Sequence, residues 1–221
     1  MPGELVTKVP EDGNLRLGSG TSQCGNKIQT TKAGVLRQTS TKSLERFWVE
    51  TKHQRYVPSL DDLVLGIIVD SHVENFAVDV GGPVLAQLPI LDFNGATRRN
   101  RPLLRYGDVV YARVTQAHPD IDPVITCVDN NRKASQGLGP LKGGYALRCT
   151  TGFSRDLLSK SSEASEVLTR IGEHFQYECC IGVNGMLWIK GEKNKDTLLI
   201  KNLLLNPDAI EKLEQHHEES D

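Results

Sequence analysis

Between Leu63 and Val128 the chain carries five short apolar runs, and these restrict the fold more than any other feature. Leu63 to Val69 follows the acidic pair Asp61-Asp62. Phe76, Val78 and Val80 alternate with Ala77 and Asp79, and Gly81-Gly82-Pro83 turns the chain into Val84 to Leu88. A long polar loop, Asp92 to Pro102, precedes Tyr106-Gly107-Asp108 and the run Val109 to Thr115. In that run Val110, Ala112 and Val114 alternate with Tyr111, Arg113 and Thr115. Val124 to Val128 is the fifth. Side chains alternate faces along a strand, so these runs present apolar faces to a common core. Five strands within roughly seventy-five residues, with glycine turns and no helical periodicity, predict a small closed β-barrel.

The chain on either side has a different texture. Residues 1–52 are rich in Gly, Thr, Ser and Lys, with short apolar pieces such as Leu15-Arg16-Leu17 and Gly34-Val35-Leu36. Short strands and glycine turns there predict a small β unit. After Asp129 the residues mix helical and strand patterns. Tyr145 to Thr150 is strand-like, and Thr151 is placed to cap a short helix carrying Phe153, Leu157 and Leu158. Ala164, Val167, Leu168 and Ile171 recur at helical spacing and predict a helix from Glu163 to His174. Phe175 to Ile181 and Met186 to Ile189 read as strands joined by Asn184-Gly185, a strong hairpin signal. A two-residue turn of this hand needs positive φ at both central positions. Trp188, one of two tryptophans, is large enough to anchor a local core. Asp196 to Leu205 predicts a third helix, ended by Asn206-Pro207. A final helix from Pro207 toward Gln215 and a solvated tail, His216 to Asp221, complete the reading.

Composition limits the function classes. Hydrophobic residues make up 38% and charged residues 24%, which fits a packed protein. The formal net charge is −2, whereas a free-standing nucleic-acid binder is usually basic, so any such role must come from a local patch or an assembly. No apolar run approaches the roughly 20 residues of a membrane span. Met1-Pro2-Gly3-Glu4 lacks the start of a signal peptide. Cys24, Cys127, Cys149, Cys179 and Cys180 show no CxxC spacing, and reduced thiols are expected rather than zinc ligands or disulfides.

Few residues suggest chemistry. Arg98, Arg99 and Arg101, with Arg105 nearby, form the densest basic cluster, beside Asn94 and Asn100. Guanidinium forks suit phosphates, so RNA is one occupant; an acidic partner protein, or solvent alone, are the others. Lys190, Lys193 and Lys195 read as a solvated approach to a helix. Asp61-Asp62 and Asp120 with Asp122 lie near turns, where aspartate is favoured without any metal. The histidines carry no motif-level partner. Gly18-Ser19-Gly20 lacks the Gly-Lys-Ser/Thr ending of a phosphate loop. No catalytic constellation, metal site or cofactor motif emerges.

The order of turns and strands around Gly81-Gly82 and Gly107-Asp108 resembles the S1-type OB fold, and the segment after it a KH-like domain. As a whole the sequence resembles the cap subunits of the RNA exosome. The residues that carry this are Leu15 to Gly20, Gln54-Arg55-Tyr56-Val57-Pro58, Val78 to Gly82, Asn94-Gly95-Ala96-Thr97-Arg98-Arg99-Asn100-Arg101-Pro102, and Gly182-Val183-Asn184-Gly185 with Trp188. The implied fold is mainly β plus α+β: a small N-terminal β domain over 1–52, an S1-type OB barrel over 53–129 and a KH-like α+β domain over 130–221. The resemblance implies a non-catalytic subunit without a cofactor or metal. Such a subunit joins other cap subunits on a ring of RNase-PH-like proteins, in a hetero-oligomer with no membrane contact. It stabilises the ring and helps guide single-stranded RNA to a separate 3′→5′ exoribonuclease, in rRNA processing and RNA degradation, in nucleus, nucleolus and cytoplasm.

The resemblance also implies that Gly182, Asn184, Gly185 and Trp188 are structural and pack the domains together. A KH clamp holds RNA with a GXXG loop between two helices; here the motif lies between strands. S1 domains that bind RNA alone carry an exposed aromatic in the second strand and a histidine in the third. Ala77, with Phe76 turned to the other face, and Leu88 are expected to stand at those places. An independent S1/KH RNA-binding protein is the alternative, and a metal-dependent nuclease is a third; degradation of RNA by the purified chain, abolished by chelator, would indicate the last.

Overall fold

The computed structural model describes residues 2–8, 14–41, 44–50, 55–118, 120–128, 137–159 and 163–206. The chain divides into two compact units, Met1–His53 and Gln54–Asp221. The final helix expected from Pro207 and the tail after it lie outside the described residues.

Among its described residues the first unit contains strands and turns and no helix. It contains β1 (Leu5–Lys8), β2 (Asn14–Leu17), β3 (Thr21–Cys24), β4 (Lys27–Thr30), β5 (Val35–Thr41) and β6 (Leu44–Glu50). They form two three-stranded sheets, ordered β1-β4-β3 and β2-β6-β5. Ile28, Phe47 and Val49 are its buried apolar anchors. The Gly18-Ser19-Gly20 segment hugs β6: Gly18 N–H donates to Phe47 O (2.7 Å), and Val49 N–H donates to Ser19 O (2.9 Å). A Cβ on Gly18 would lie 2.8 Å from Trp48 Cβ, so the glycine answers a packing demand.

The second unit opens with the barrel: β7 (Leu63–Ser71), β8 (Asn75–Asp79), β9 (Ala86–Pro89), β10 (Val109–His118) and β11 (Ile121–Thr126). The order β11-β9-β8-β7-β10, with β10 also paired to β11, closes the sheet on itself. Val64, Ile68, Val78, Ala86, Val110, Ala112 and Ile125 fill its interior. Gly66 sits where a methyl would collide with Val78 Cγ1. Phe76 meets Phe93 edge to face at 6.0 Å, so the loop after β9 is pinned by an aromatic plug. The third strand begins at Ala86 rather than Val84; Val84 and Leu85 are exposed.

The α+β part comes next: β12 (Gly139–Leu141), β13 (Tyr145–Arg148), α1 (Thr151–Leu158), α2 (Glu163–His174), β14 (Tyr177–Gly182), β15 (Met186–Gly191) and α3 (Asn194–Leu205). β12 pairs with β10, and the other strands form a sheet ordered β13-β15-β14. α1 is capped by Thr150, one residue before the position expected, because Thr150 is the extended residue whose Oγ1 accepts from Phe153 N–H (3.2 Å). The α2 stripe points inward: Ile171 is buried, and Ala164, Val167 and Leu168 pack against the same cluster. β15 is buried on both faces. Met186 and Trp188 join the barrel core, while Leu187 and Ile189 join the helix cluster. Period-two alternation in one strand thus ties two cores together. Among the described residues no helix is long and apolar enough to cross a membrane.

Candidate nucleic-acid interface

The outward face of β8 and β9 is where OB barrels commonly hold oligonucleotides. Here it forms a groove of about 420 Å³ lined by residues that include His72, Ala77, Asp79, Gln87 and Asp122. Ala77 faces Gln87 across the ladder, and Phe76 faces Leu88. Leu88 is therefore a core residue, fully buried, and Gln87 takes the groove position. The expectation for Leu88 was displaced by one residue, which in a strand means the opposite face. The groove's polar groups are held by the protein itself. Asp79 Oδ1 accepts from Gly81 N–H (2.8 Å) and Oδ2 pairs with Arg148 Nη2 (2.6 Å). Gln87 Oε1 accepts from Asn75 Nδ2 (2.6 Å). The groove lining has no Phe, Tyr or Trp to stack a base, only the smaller His72 imidazole, and the Asp122 carboxylate repels phosphates.

The arginines lie beyond this face, in the loop between β9 and β10. Ala96 N–H donates to Phe93 O (3.1 Å) and Thr97 N–H to Asn100 O (3.0 Å), while Asn100 N–H donates to Thr97 Oγ1 (3.0 Å). Arg98 and Arg99 occupy the tip of that turn and are exposed. Arg101 Nη1 donates to Val73 O (3.0 Å), which ties the loop to the β7–β8 connection. Arg105 is exposed as well, and its backbone N–H donates to Asp108 Oδ2 (2.7 Å). Among the described residues none of these four guanidinium groups makes an ion pair, so their charge remains available.

The Gly182–Gly185 hairpin meets the barrel elsewhere. Gly182 pairs with Met186, which leaves a three-residue loop rather than a two-residue turn. Only Gly185 in it has positive φ, +79°, so the two positive-φ positions expected at Asn184-Gly185 reduce to one. The reason is in the Asn184 side chain, which reaches into the barrel and is 6% exposed. Its Oδ1 accepts from Leu65 N–H (3.2 Å), and its Nδ2 donates to Leu65 O (2.7 Å) and Val80 O (2.8 Å). Val183 N–H donates to Leu63 O (2.9 Å). A methyl on Gly182 would strike Asn184 Oδ1 and lie 2.7 Å from Leu65 N; one on Gly185 would lie 2.6 Å from Cys149 O. Trp188, 3% exposed, donates from Nε1 to Gly143 O (2.9 Å).

Among the other titratable groups, Asp62 has a hydrogen-bond partner of its own. It accepts from Tyr56 Oη at 2.6 Å, and burial pushes its carboxyl up. Burial and the Asp62 carboxylate hold the Tyr56 phenol well above the ordinary range. Burial pushes the Cys127 thiol up to about 12 and Cys180 to about 11, which makes both poor nucleophiles. Among the described residues no three His, Cys, Asp or Glu side chains gather to hold a metal.

A family model described as the S1 domain of exosome complex component RRP40 matches residues 56–139, and a KH domain model matches residues 144–195. The sequence is 39% identical to a candidate exosome complex component rrp40 of Dictyostelium discoideum, over 96% of this chain and 86% of that protein. The chain belongs to the RRP40 family. Exosome complex component RRP40 of Drosophila melanogaster is 35% identical over 97% of this chain and 88% of its own length. Its counterpart in Homo sapiens is 35% identical over 85% of this chain and 68% of that protein. A solved structure of a candidate exosome complex RNA-binding protein covers 76% of this chain and 100% of its own, with a TM-score of 0.57 and 21% identity. That likeness is one of fold. In the terms of the RRP40 family, the S1 match ends where β12 begins, and the KH match spans β13 to the start of α3.

Proposed function

We propose that this protein is a non-catalytic cap subunit of the RNA exosome, with residues 1–52, 53–129 and 130–221 as its three domains. It stabilises a ring of RNase-PH-like subunits beside other cap subunits and helps guide single-stranded RNA to a separate 3′→5′ exoribonuclease, in rRNA processing and RNA degradation. Its compartments are the nucleus, nucleolus and cytoplasm. The observation that carries this reading is the RRP40 relationship over nearly the whole chain. Arg98, Arg99, Arg101 and Arg105 contact RNA phosphates through guanidinium forks on a loop. Gly182, Asn184, Gly185 and Trp188 pack the KH-like domain on the barrel and do not touch RNA. A groove without Phe, Tyr or Trp, bearing Asp79 and Asp122, speaks against an independent S1/KH RNA-binding protein.

The test is an affinity purification of the tagged protein from its native cells at moderate salt, with the co-purifying proteins identified by mass spectrometry. Six RNase-PH-like proteins and two further S1-type proteins are the expected company. Recovery of RNA alone, or of ribosomes without the ring, would overturn the cap reading.

A further inference from the structure

Tyr106 stands apart among the aromatic side chains of the described residues: it is 82% exposed. Its backbone is nonetheless fastened. Asp108 N–H donates to Arg105 O (3.1 Å), Gly107 N–H to Ile68 O (2.9 Å) and Ile68 N–H to Asp108 O (2.8 Å). Gly107 holds φ at +89°, and Arg105 N–H donates to Asp108 Oδ2 (2.7 Å), so the turn is braced from both sides. Upstream, exposure alternates. Arg101, Leu103 and Arg105 are exposed, while Pro102 and Leu104 are half-buried and Leu104 packs on the barrel core. The Arg101 side chain is tied to Val73 O in the β7–β8 connection and the Gly107 backbone to Ile68 O in β7, so the stretch between them spans about 15 Å. Its outer side presents guanidinium, leucine, guanidinium and then a phenol ring.

We propose that Tyr106 stacks on a base of single-stranded RNA while Arg101 and Arg105 hold the flanking phosphates. This rests on the reading of the arginine loop as an RNA contact and adds to it the group that meets a base. Cations spaced along an extended strip, followed by a flat ring on a fixed turn, match a nucleic-acid backbone with its bases splayed. A fixed turn loses little freedom on binding. The barrel's own strand face offers no alternative, since Ala77 and Gln87 occupy it. A protein partner also favours tyrosine and arginine at its contacts, so the experiment includes an outcome in which Tyr106 meets a protein.

The experiment uses the full chain at low salt with labelled oligouridylate and an abasic oligomer of equal length. Tyr106→Ala is expected to weaken oligouridylate binding about tenfold and to leave abasic binding unchanged, while Tyr106→Phe binds as the wild type does. Arg98, Arg99 and Arg101 changed together to Ala are expected to weaken both oligomers. In Tyr106→Trp, oligouridylate quenches the new indole fluorescence and the abasic oligomer does not. If Tyr106→Ala binds oligouridylate normally while the arginine variant does not, the stacking inference falls and the loop reading stands. If the wild type binds neither oligomer, both fall. If Tyr106→Ala keeps its RNA affinity but loses its ring proteins on purification, the residue meets a protein and the inference is wrong.

Discussion

Asn184 shows how one side chain can hold two domains in register. Its amide supplies one acceptor and two donor hydrogens to Leu65 N, Leu65 O and Val80 O, all on barrel strands or their ends. Asn184→Ala leaves these buried backbone groups unpaired, at about 1 kcal/mol each, so unfolding free energy is expected to drop by about 3 kcal/mol. Asn184→Asp keeps the acceptor facing Leu65 N but turns a carboxylate oxygen toward two carbonyls. It is expected to be at least as damaging near neutral pH and to recover in part on acidification, as the carboxyl regains a donor. Denaturant titration reads both; an unchanged midpoint for Asn184→Ala would show that water replaces the amide without loss.

At the scale of elements, the approach to β7 is pinned by the Tyr56–Asp62 hydrogen bond. Both groups are pushed up, chiefly by burial, so in each the folded state favours the protonated form. For Tyr56, the unfolded phenol loses its proton near pH 10 while the folded one keeps it. Its contribution to stability is therefore complete below about pH 10 and is lost progressively as the pH rises above that value. Tyr56→Phe lacks this group, so its stability deficit at neutral pH is expected to shrink between about pH 9 and pH 11. Tyr111 and Tyr177, pushed up to about 12 by burial, titrate in both proteins and cancel in the difference. A deficit that stays constant through that range would mean Tyr56 titrates freely.

The second unit is expected to fold as a single body because β15 belongs to two cores at once. Met186 and Trp188 are buried with barrel residues such as Val80, and Leu187 and Ile189 with α2 and α3. The Arg148–Asp79 ion pair, half exposed, adds little to this. A fragment spanning Gln54–Asp221 is expected to unfold in one calorimetric transition, with van't Hoff and calorimetric enthalpies in agreement. Two resolved transitions, a barrel and a KH-like part melting separately, would contradict that.

Periodicity made most elements legible. The alternation around Val78 and Val110, the stripe ending at Ile171 and the Asn-Gly signal each depend on neighbours within a few residues, where propensity and pattern act. The family membership was legible too, because it rests on local motifs along the whole chain. Three things were decided only by the tertiary structure. Whether Leu88 or Gln87 looks outward depends on strand register, which is set when the barrel closes. The hairpin turn has one positive φ instead of two because Asn184 satisfies strands 119 residues away in sequence. The arginine loop gains its course from Arg101 meeting Val73 and from Gly107 meeting Ile68. Short-range physics fixes which residues become strands and helices; which atoms those elements bring together depends on long-range contacts that exist only once the chain has folded.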